Sequence, residues 1–338
     1  MTLPKTYKAA QISAKSGPFE IVERDLKQPQ EGEILVKVLA SGVCHSDSVV
    51  VDQSMPIPLP KVPGHEIVGD VVSVGPGEKR WKVGDRVGSG WHGGHCFICK
   101  SCLNGDFITC ENENINGVIT DGGHAEYVIL RTESVASIPT DIDPAKAAPL
   151  LCAGVTTFNS LRHMDINPGD VVAVQGVGGL GHLAIQFARQ MGYKTVALSQ
   201  SDSKRQLAMD LGAHVYVDGS KEDQCEALQK LGGAKVIMAV APSGEAMAKL
   251  IGGLAVGGQL LILAIADQLN IPMVPLVQKR LQIRGWPSGS AYDSEETIQF
   301  AKASGVECQV QTYPLEKIQE AYDSMMNGSA RFRAVITF

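Results

Sequence analysis

Residues 170–192 constrain the fold of this chain more than any other stretch. Asp170–Gln175 is a short β-branched apolar run. Gly176-Val177-Gly178-Gly179-Leu180-Gly181 follows it, and a helical pattern continues to Gly192. A strand, a Gly-x-Gly-x-x-Gly turn and a helix in that order make a dinucleotide-binding unit. One glycine permits the tight turn, the next lets a pyrophosphate approach the backbone, and the third lets helix and strand pack closely. The helix N-terminus then offers free N–H groups and positive dipole character to the phosphates. A glycine-rich turn alone is weak evidence of binding, and its strand–turn–helix setting is what gives it weight.

The surroundings of that loop repeat its architecture. Strand candidates are Lys194–Gln200, Ala213–Val217, Lys235–Ala241, Gln259–Ile265 and Leu281–Trp286, with helices in most of the gaps. Runs such as Val171–Val174 and Leu260–Ile265 are apolar throughout, as in parallel strands covered on both faces. The expected fold class is therefore α/β, with a doubly wound parallel sheet. The earlier part of the chain is different. Lys8–Ser13, Glu33–Val43, Glu66–Val74 and Ala125–Leu130 read as strands among many Gly and Pro turns, which suits a β-rich, barrel-like domain. Pro144–Met164 reads as one long helix, with Asp143 as its N-cap. Ser294–Phe338 holds two more helices and a last strand, Arg333–Phe338.

With 338 residues, two domains are expected, and 44% apolar content supports a sizeable core. A net charge of -6 leaves no basic footprint for nucleic acid or an anionic membrane. No apolar run approaches the roughly 20 residues that span a bilayer. The first residues lack a secretory apolar core, so a cytosolic setting is expected. There, clustered cysteines are more often metal ligands or catalytic groups than disulfides.

Four of the eight cysteines fall within fifteen residues: Cys96, Cys99, Cys102 and Cys110. Four thiolates on one loop can enclose a tetrahedral zinc and leave no open position, so the set reads as structural. The alternatives are an iron–sulfur cluster or four unrelated buried thiols, the latter at odds with so dense a cluster. The cofactor preference rests on the second strand of the doubly wound domain. It ends at Ser199 with no acidic residue at its tip to bind a ribose 2′-OH, and Lys204 and Arg205 follow. The balance favours NADP(H) over NAD(H), although Asp202 lies near enough to supply the missing carboxylate. The alternative is that both cations are solvated residues of the next helix.

Cys44-His45-Ser46-Asp47, Gly64-His65-Glu66, the four-cysteine lobe, Cys152-Ala153-Gly154-Val155-Thr156-Thr157 and the glycine loop occur in one order. That order resembles the zinc-dependent medium-chain alcohol dehydrogenases, over essentially the whole chain. Its compact length is similar to the yeast and bacterial tetrameric branch. The resemblance implies a GroES-like catalytic domain with both zinc sites over 1–150 and a Rossmann domain over 151–285. Residues 286–338 would return to the catalytic domain. It implies two zinc ions per chain, a small alcohol or aldehyde as substrate, and a homo-oligomer, either tetramer or dimer.

By that resemblance Cys44, His65 and Cys152 bind the catalytic zinc with a fourth position open to substrate. Ser46 takes the alcohol proton, Asp47 orients the histidine ligand and Glu66 is an acidic neighbour of the metal. His45 and Arg333 meet the cofactor pyrophosphate, and Trp91 walls the substrate pocket. The chain departs from many relatives at Val49, where they carry the histidine that ends the proton relay. His92, His95 and Trp286 match no role, and Cys225 and Cys308 read as ordinary thiols. Two alternatives stand beside this reading. One is a zinc-free quinone or enone reductase of the same superfamily, and the other a non-catalytic zinc protein that binds dinucleotide.

Overall fold

The structure is a computed structural model that describes residues 3–266 and 268–338. Its contacts divide into two compact units. The first takes residues 3–155, Ser288–Ala303 and Glu307–Phe338. The second takes Thr156–Pro287 and Ser304–Val306.

The first unit begins with a hairpin of β1 (Thr6–Gln11) and β2 (Glu20–Asp25). The eleven-residue strand β3 (Glu33–Val43) is the spine of the main sheet. It pairs antiparallel with β4 (Ile67–Val74), which pairs in turn with β5 (Arg86–Ser89). The short strands β6 (His92–Gly94) and β7 (Asn114–Ile115) form a separate ribbon beside the cysteine-rich loop. Strand β8 (Tyr127–Arg131) also pairs with β3, and β9 (Ala136–Ser137) closes onto β5. Register shifts at Leu35/Val36 and Val38/Ala40 bend β3 along its length. Ile34, Val36 and Val38 alternate inward to a core with Ile67, Val71 and Leu130.

The second unit is a six-stranded parallel sheet of β10 (Val171–Gln175), β11 (Lys194–Ser199), β12 (Val215–Asp218), β13 (Ala234–Ala239), β14 (Leu254–Ile262) and β15 (Gln282–Gly285). Their order is β12-β11-β10-β13-β14-β15. The order reverses beside β10, the topological switch point at which such sheets bind ligands. Val172 and Val174 enter one core and Val171 and Ala173 the other. Burial on both faces explains why β10 carries no polar alternation.

The last two strands return to the first unit. β17 (Arg333–Thr337) pairs antiparallel with β3, and β16 (Val310–Pro314) lies parallel to β17.

Besides short strands that the sequence reading did not mark, among them β16, two expected elements differ in extent. The single helix over Pro144–Met164 is instead three pieces: Pro144–Ala147, a 3-10 turn Ala148–Leu151, and Ala153–Arg162. Pro149 has no N–H and its ring conflicts with a preceding helical turn, so the helix breaks there. Cys152 sits in the break with φ -127° and ψ -75°, held apart from either helix. Strand β14 starts at Leu254, five residues before the expected Gln259, and ends at Ile262. Its start is masked by a register shift against β13 and by Gly257 at φ +67°.

Candidate active site and metal centres

The four-cysteine loop closes on itself. Cys96 Sγ lies 3.6 Å from Cys110 Sγ and 4.0 Å from Cys102 Sγ, and Cys99 Sγ lies 3.9 Å from Cys110 Sγ. A zinc–sulfur bond of about 2.3 Å gives tetrahedral sulfur–sulfur edges of about 3.8 Å, so these spacings fit zinc. The backbone N–H groups of Cys99 and Asn112 point at Cys96 Sγ and Cys110 Sγ, 3.4 and 3.3 Å away. Backbone donors pull the Cys96 thiol down to about 6, whereas burial pushes Cys102 up to about 12. Four such thiols ionise together only with a cation among them.

Beside this lobe, His92 Nδ1 is 3.0 Å from Glu113, and its Nε2 is 3.0 Å from His95 Nδ1. His95 stacks on Phe107 with ring centroids 4.1 Å apart. These contacts give the two histidines packing roles under the cysteine loop.

The second donor set joins residues far apart in sequence. Cys44 follows the end of β3, His65 and Glu66 precede β4, and Cys152 lies in the helix break. Their ligand atoms all lie within 4.8 Å of one another, and the Sγ atoms of Cys44 and Cys152 are 3.8 Å apart. His65 Nε2 and Glu66 Oε2 are buried without a hydrogen-bond partner. Unpaired buried polar atoms are costly, and a cation among these donors satisfies both.

The local sequence builds this geometry. Cys44 caps the 3-10 turn His45–Asp47, and Asp47 Oδ2 accepts the Cys44 N–H at 2.9 Å. Asp47 Oδ1 faces His65 Nδ1 at 3.2 Å, bent away from ideal hydrogen-bond alignment. Burial alone would push the Asp47 carboxyl up, but His65 and His124 hold it well below the usual carboxylate range. Glu66 is pushed up to about 8 by burial, against the pull of Arg333, with which it is ion-paired on β17. Gly42 makes room for that carboxylate, since a Cβ there would sit 1.9 Å from Glu66 Oε2.

Among the other expected residues, Trp91 packs edge-on against His65 with ring centroids 5.1 Å apart. Ser46 is half-buried one residue from Asp47, and His45 is exposed. Val49 is half-buried against the apolar cluster of Ile12, Val43 and Val51. Arg333 is 4% exposed, with its guanidinium on Glu66. The structure also shows residues that the sequence reading missed. Ser41 and His124 lie behind Asp47, both fully buried. A histidine at a strand approach carries no motif, so only tertiary contact reveals it.

In the second unit Gly176 has φ +92° and Gly181 presses on the loop, since a Cβ on Gly181 would lie 2.0 Å from Gly176 O. A Cβ on Gly178 would meet nothing within 4 Å, so this face of the loop is open to an approaching ligand. Ser199 ends β11. Lys204 Nζ donates to Val177 O in the glycine loop at 2.8 Å. Asp202 is engaged by Arg205 at 2.5 Å and Lys221 at 3.4 Å. Arg205 in turn lies over the Tyr216 ring.

An antiparallel-rich unit bearing two thiolate donor sets, and a doubly wound unit bearing a dinucleotide loop, define a metal-dependent dinucleotide oxidoreductase. Residues 30–140 match the family Alcohol dehydrogenase GroES-like domain, and residues 179–311 match Zinc-binding dehydrogenase. The chain is 51% identical over 336 residues to alcohol dehydrogenase patD of Penicillium expansum, covering 99% of each. It superposes on a cinnamyl alcohol dehydrogenase of Sorghum bicolor with TM-score 0.89 at 28% identity, covering 98% of each chain. An acetophenone reductase of Geotrichum candidum, solved with NAD, gives TM-score 0.87 at 26% identity, covering 100% of this chain and 99% of that one. The chain belongs to the zinc-dependent medium-chain alcohol dehydrogenases. It interconverts small alcohols and their carbonyl counterparts, using zinc and a nicotinamide dinucleotide. Among the described residues no helix is long and apolar enough to cross a membrane.

Proposed function

We propose that Cys44, His65 and Cys152 hold the catalytic zinc and that Cys96, Cys99, Cys102 and Cys110 hold a second, structural zinc. The observation that carries this is the contrast between the sets. One is four thiols at tetrahedral spacing, and the other is two thiols with His65 Nε2 and Glu66 Oε2 buried and unpartnered. A zinc held by Cys44, His65 and Cys152 would supply Lewis acidity, which favours ionisation of a substrate hydroxyl. The chain's own residues do the rest. Asp47 fixes the His65 ring, so that its lone pair faces the donor set. Ser46 takes the hydroxyl proton and passes it on without the histidine that Val49 replaces. Arg333 holds Glu66, and Trp91 forms an apolar wall beside His65.

In the second unit, the open face at Gly178 receives the pyrophosphate. His45 and Arg333 are proposed separately, on the family resemblance alone, as residues that meet the cofactor. The cofactor preference is NADP(H). Asp202 is held by two cations and leaves β11 without a free carboxylate for the ribose, while Lys204 is drawn to the glycine loop. Ser199 then donates to a 2′-phosphate that an acidic residue would repel. Self-association to a dimer or tetramer fits the edge strand β15 and the neighbouring helix Met273–Lys279, which exposes Met273, Val274 and Val277. A cytosolic setting is proposed on the same footing, from composition.

The test is elemental analysis combined with alcohol oxidation, on the native chain and on Cys152→Ser. The native chain is expected to bind about two zinc ions. Cys152→Ser is expected to keep one and to lose turnover while remaining folded. A native chain with no zinc, or an active Cys152→Ser variant, would overturn the assignment.

A further inference from the structure

Behind the open donor set runs a buried polar chain that the metal chemistry does not by itself require. Ser41 Oγ lies 2.9 Å from His124 Nδ1, and His124 Nε2 lies 3.4 Å from Asp47 Oδ2. Asp47 Oδ1 then faces His65 Nδ1. All four residues are at most 1% exposed. Serine, histidine and aspartate in sequence invite comparison with a nucleophilic triad, but Ser41 is fully buried and no substrate reaches it.

The proton directions along this chain follow from chemistry. An ionised carboxylate only accepts hydrogen bonds, so the imidazole nitrogens facing Asp47 must both carry hydrogen. On a neutral His124 ring Nδ1 is then a bare acceptor, and the Ser41 hydroxyl supplies its donor. His65 Nε2 is likewise left with its lone pair free for a metal. The backbone reinforces the link. Gly122, Gly123 and His124 donate their N–H groups to the carbonyls of Val62, Gly64 and Pro63, at 2.7, 2.9 and 3.1 Å. This ties the His124 segment to the loop that delivers His65. Gly64, at φ +103°, is shaped to the same ring, since a Cβ there would stand 2.8 Å from His124 Nδ1.

We propose that His124, with its tautomer set by Ser41, is a positioning residue that anchors Asp47 and thereby fixes His65 for metal binding. The inference rests on the assignment of Cys44, His65 and Cys152 as a metal set. Outer partners of ligating histidines typically contribute 10–100-fold to metal affinity or activity. His124 acts one bond further out, so about tenfold is expected.

The experiment uses the full, zinc-loaded chain and follows release of each zinc to a chelator, alongside thermal unfolding and alcohol kinetics. In His124→Phe, which keeps a ring and removes both nitrogens, one zinc is expected to leave about tenfold faster while the other leaves at the native rate. Turnover falls more than alcohol KM rises. His124→Gln, whose amide N–H can still reach Asp47, is expected to restore part of the retention. Ser41→Ala leaves the ring in place and is expected to show the same one-sided loss at smaller size, which also serves if the phenyl variant does not fold. Unchanged zinc release in both His124→Phe and Ser41→Ala would reduce His124 to packing and overturn the proposal, even if Tm fell. Equal acceleration of both zinc ions would overturn it too. A native chain with no releasable second zinc would instead overturn the metal assignment, and this proposal with it.

Discussion

Gly178 and Gly181 lie three residues apart in one loop, yet the structure assigns them opposite consequences when each is changed to alanine. A Cβ on Gly181 would stand 2.0 Å from Gly176 O, a backbone atom that no rotamer change removes. Non-bonded contacts to a real Cβ do not fall below 3.0 Å, so loop and helix must separate by about 1 Å. Overpacking of this kind costs about 1–3 kcal/mol, and at roughly 2–4 °C per kcal/mol the melting transition falls by roughly 2–12 °C. A Cβ on Gly178 meets nothing within 4 Å and its φ is not in the left-handed region, so the ligand-free fold accepts alanine there. Reduced freedom of the unfolded chain even stabilises such a variant by about 0.4–1 kcal/mol. The new methyl instead occupies the face proposed above to receive a pyrophosphate. Losing one charge-assisted N–H contact costs about 1.5–3 kcal/mol, which is roughly 10–150-fold in dinucleotide affinity. Calorimetric unfolding of the dinucleotide-free protein, with fluorescence titration of NAD(H) and NADP(H), separates the two effects. Gly178→Ala should bind poorly and melt no lower than native, while Gly181→Ala should be impaired in both. If Gly178→Ala melted as low as Gly181→Ala, or bound dinucleotide normally, the geometric reasoning would fail.

Further outcomes follow from the same structure. Cys110→Ser opens the four-thiol set and should leave about one zinc per chain with a lower melting temperature, because binding energy at a closed site is folding energy; an unchanged melting temperature would contradict a structural role. Ser199→Asp places a carboxylate at the tip of β11 and should move kcat/KM towards NAD. Lys204→Ala should weaken NADP selectively, by about tenfold or more if one charge-assisted contact is lost; equal losses with both cofactors would show that Lys204 only braces the glycine loop through Val177. Ser46→Ala should remove most alcohol oxidation while dinucleotide affinity stays near native, and undiminished turnover would exclude the hydroxyl from proton transfer.

Local patterns in the chain carried much of this. The apolar run Val171–Val174 and the three spaced glycines declare a buried strand and a phosphate turn, because burial on both faces and close backbone approach restrict residue type at adjacent positions. Cys96, Cys99, Cys102 and Cys110 are legible for the same reason, since a loop that wraps one ion keeps its ligands within a few residues. Cys44, His65 and Cys152 have no such local signature, and it was their order among other motifs, matched to a family, that singled them out. Tertiary structure decided what they form: the bend of β3, the turn at Gly64 and the helix break at Pro149 bring three distant side chains within 4.8 Å. It also decided that Asp202 is held by Arg205 and Lys221, and that Lys204 reaches back to Val177. His124 and Ser41 lay outside sequence reading altogether. A buried histidine acquires its role from the carboxylate it faces, and that carboxylate lies 77 positions away. Hydrogen-bond partners across such separations are set by packing, which no local periodicity encodes.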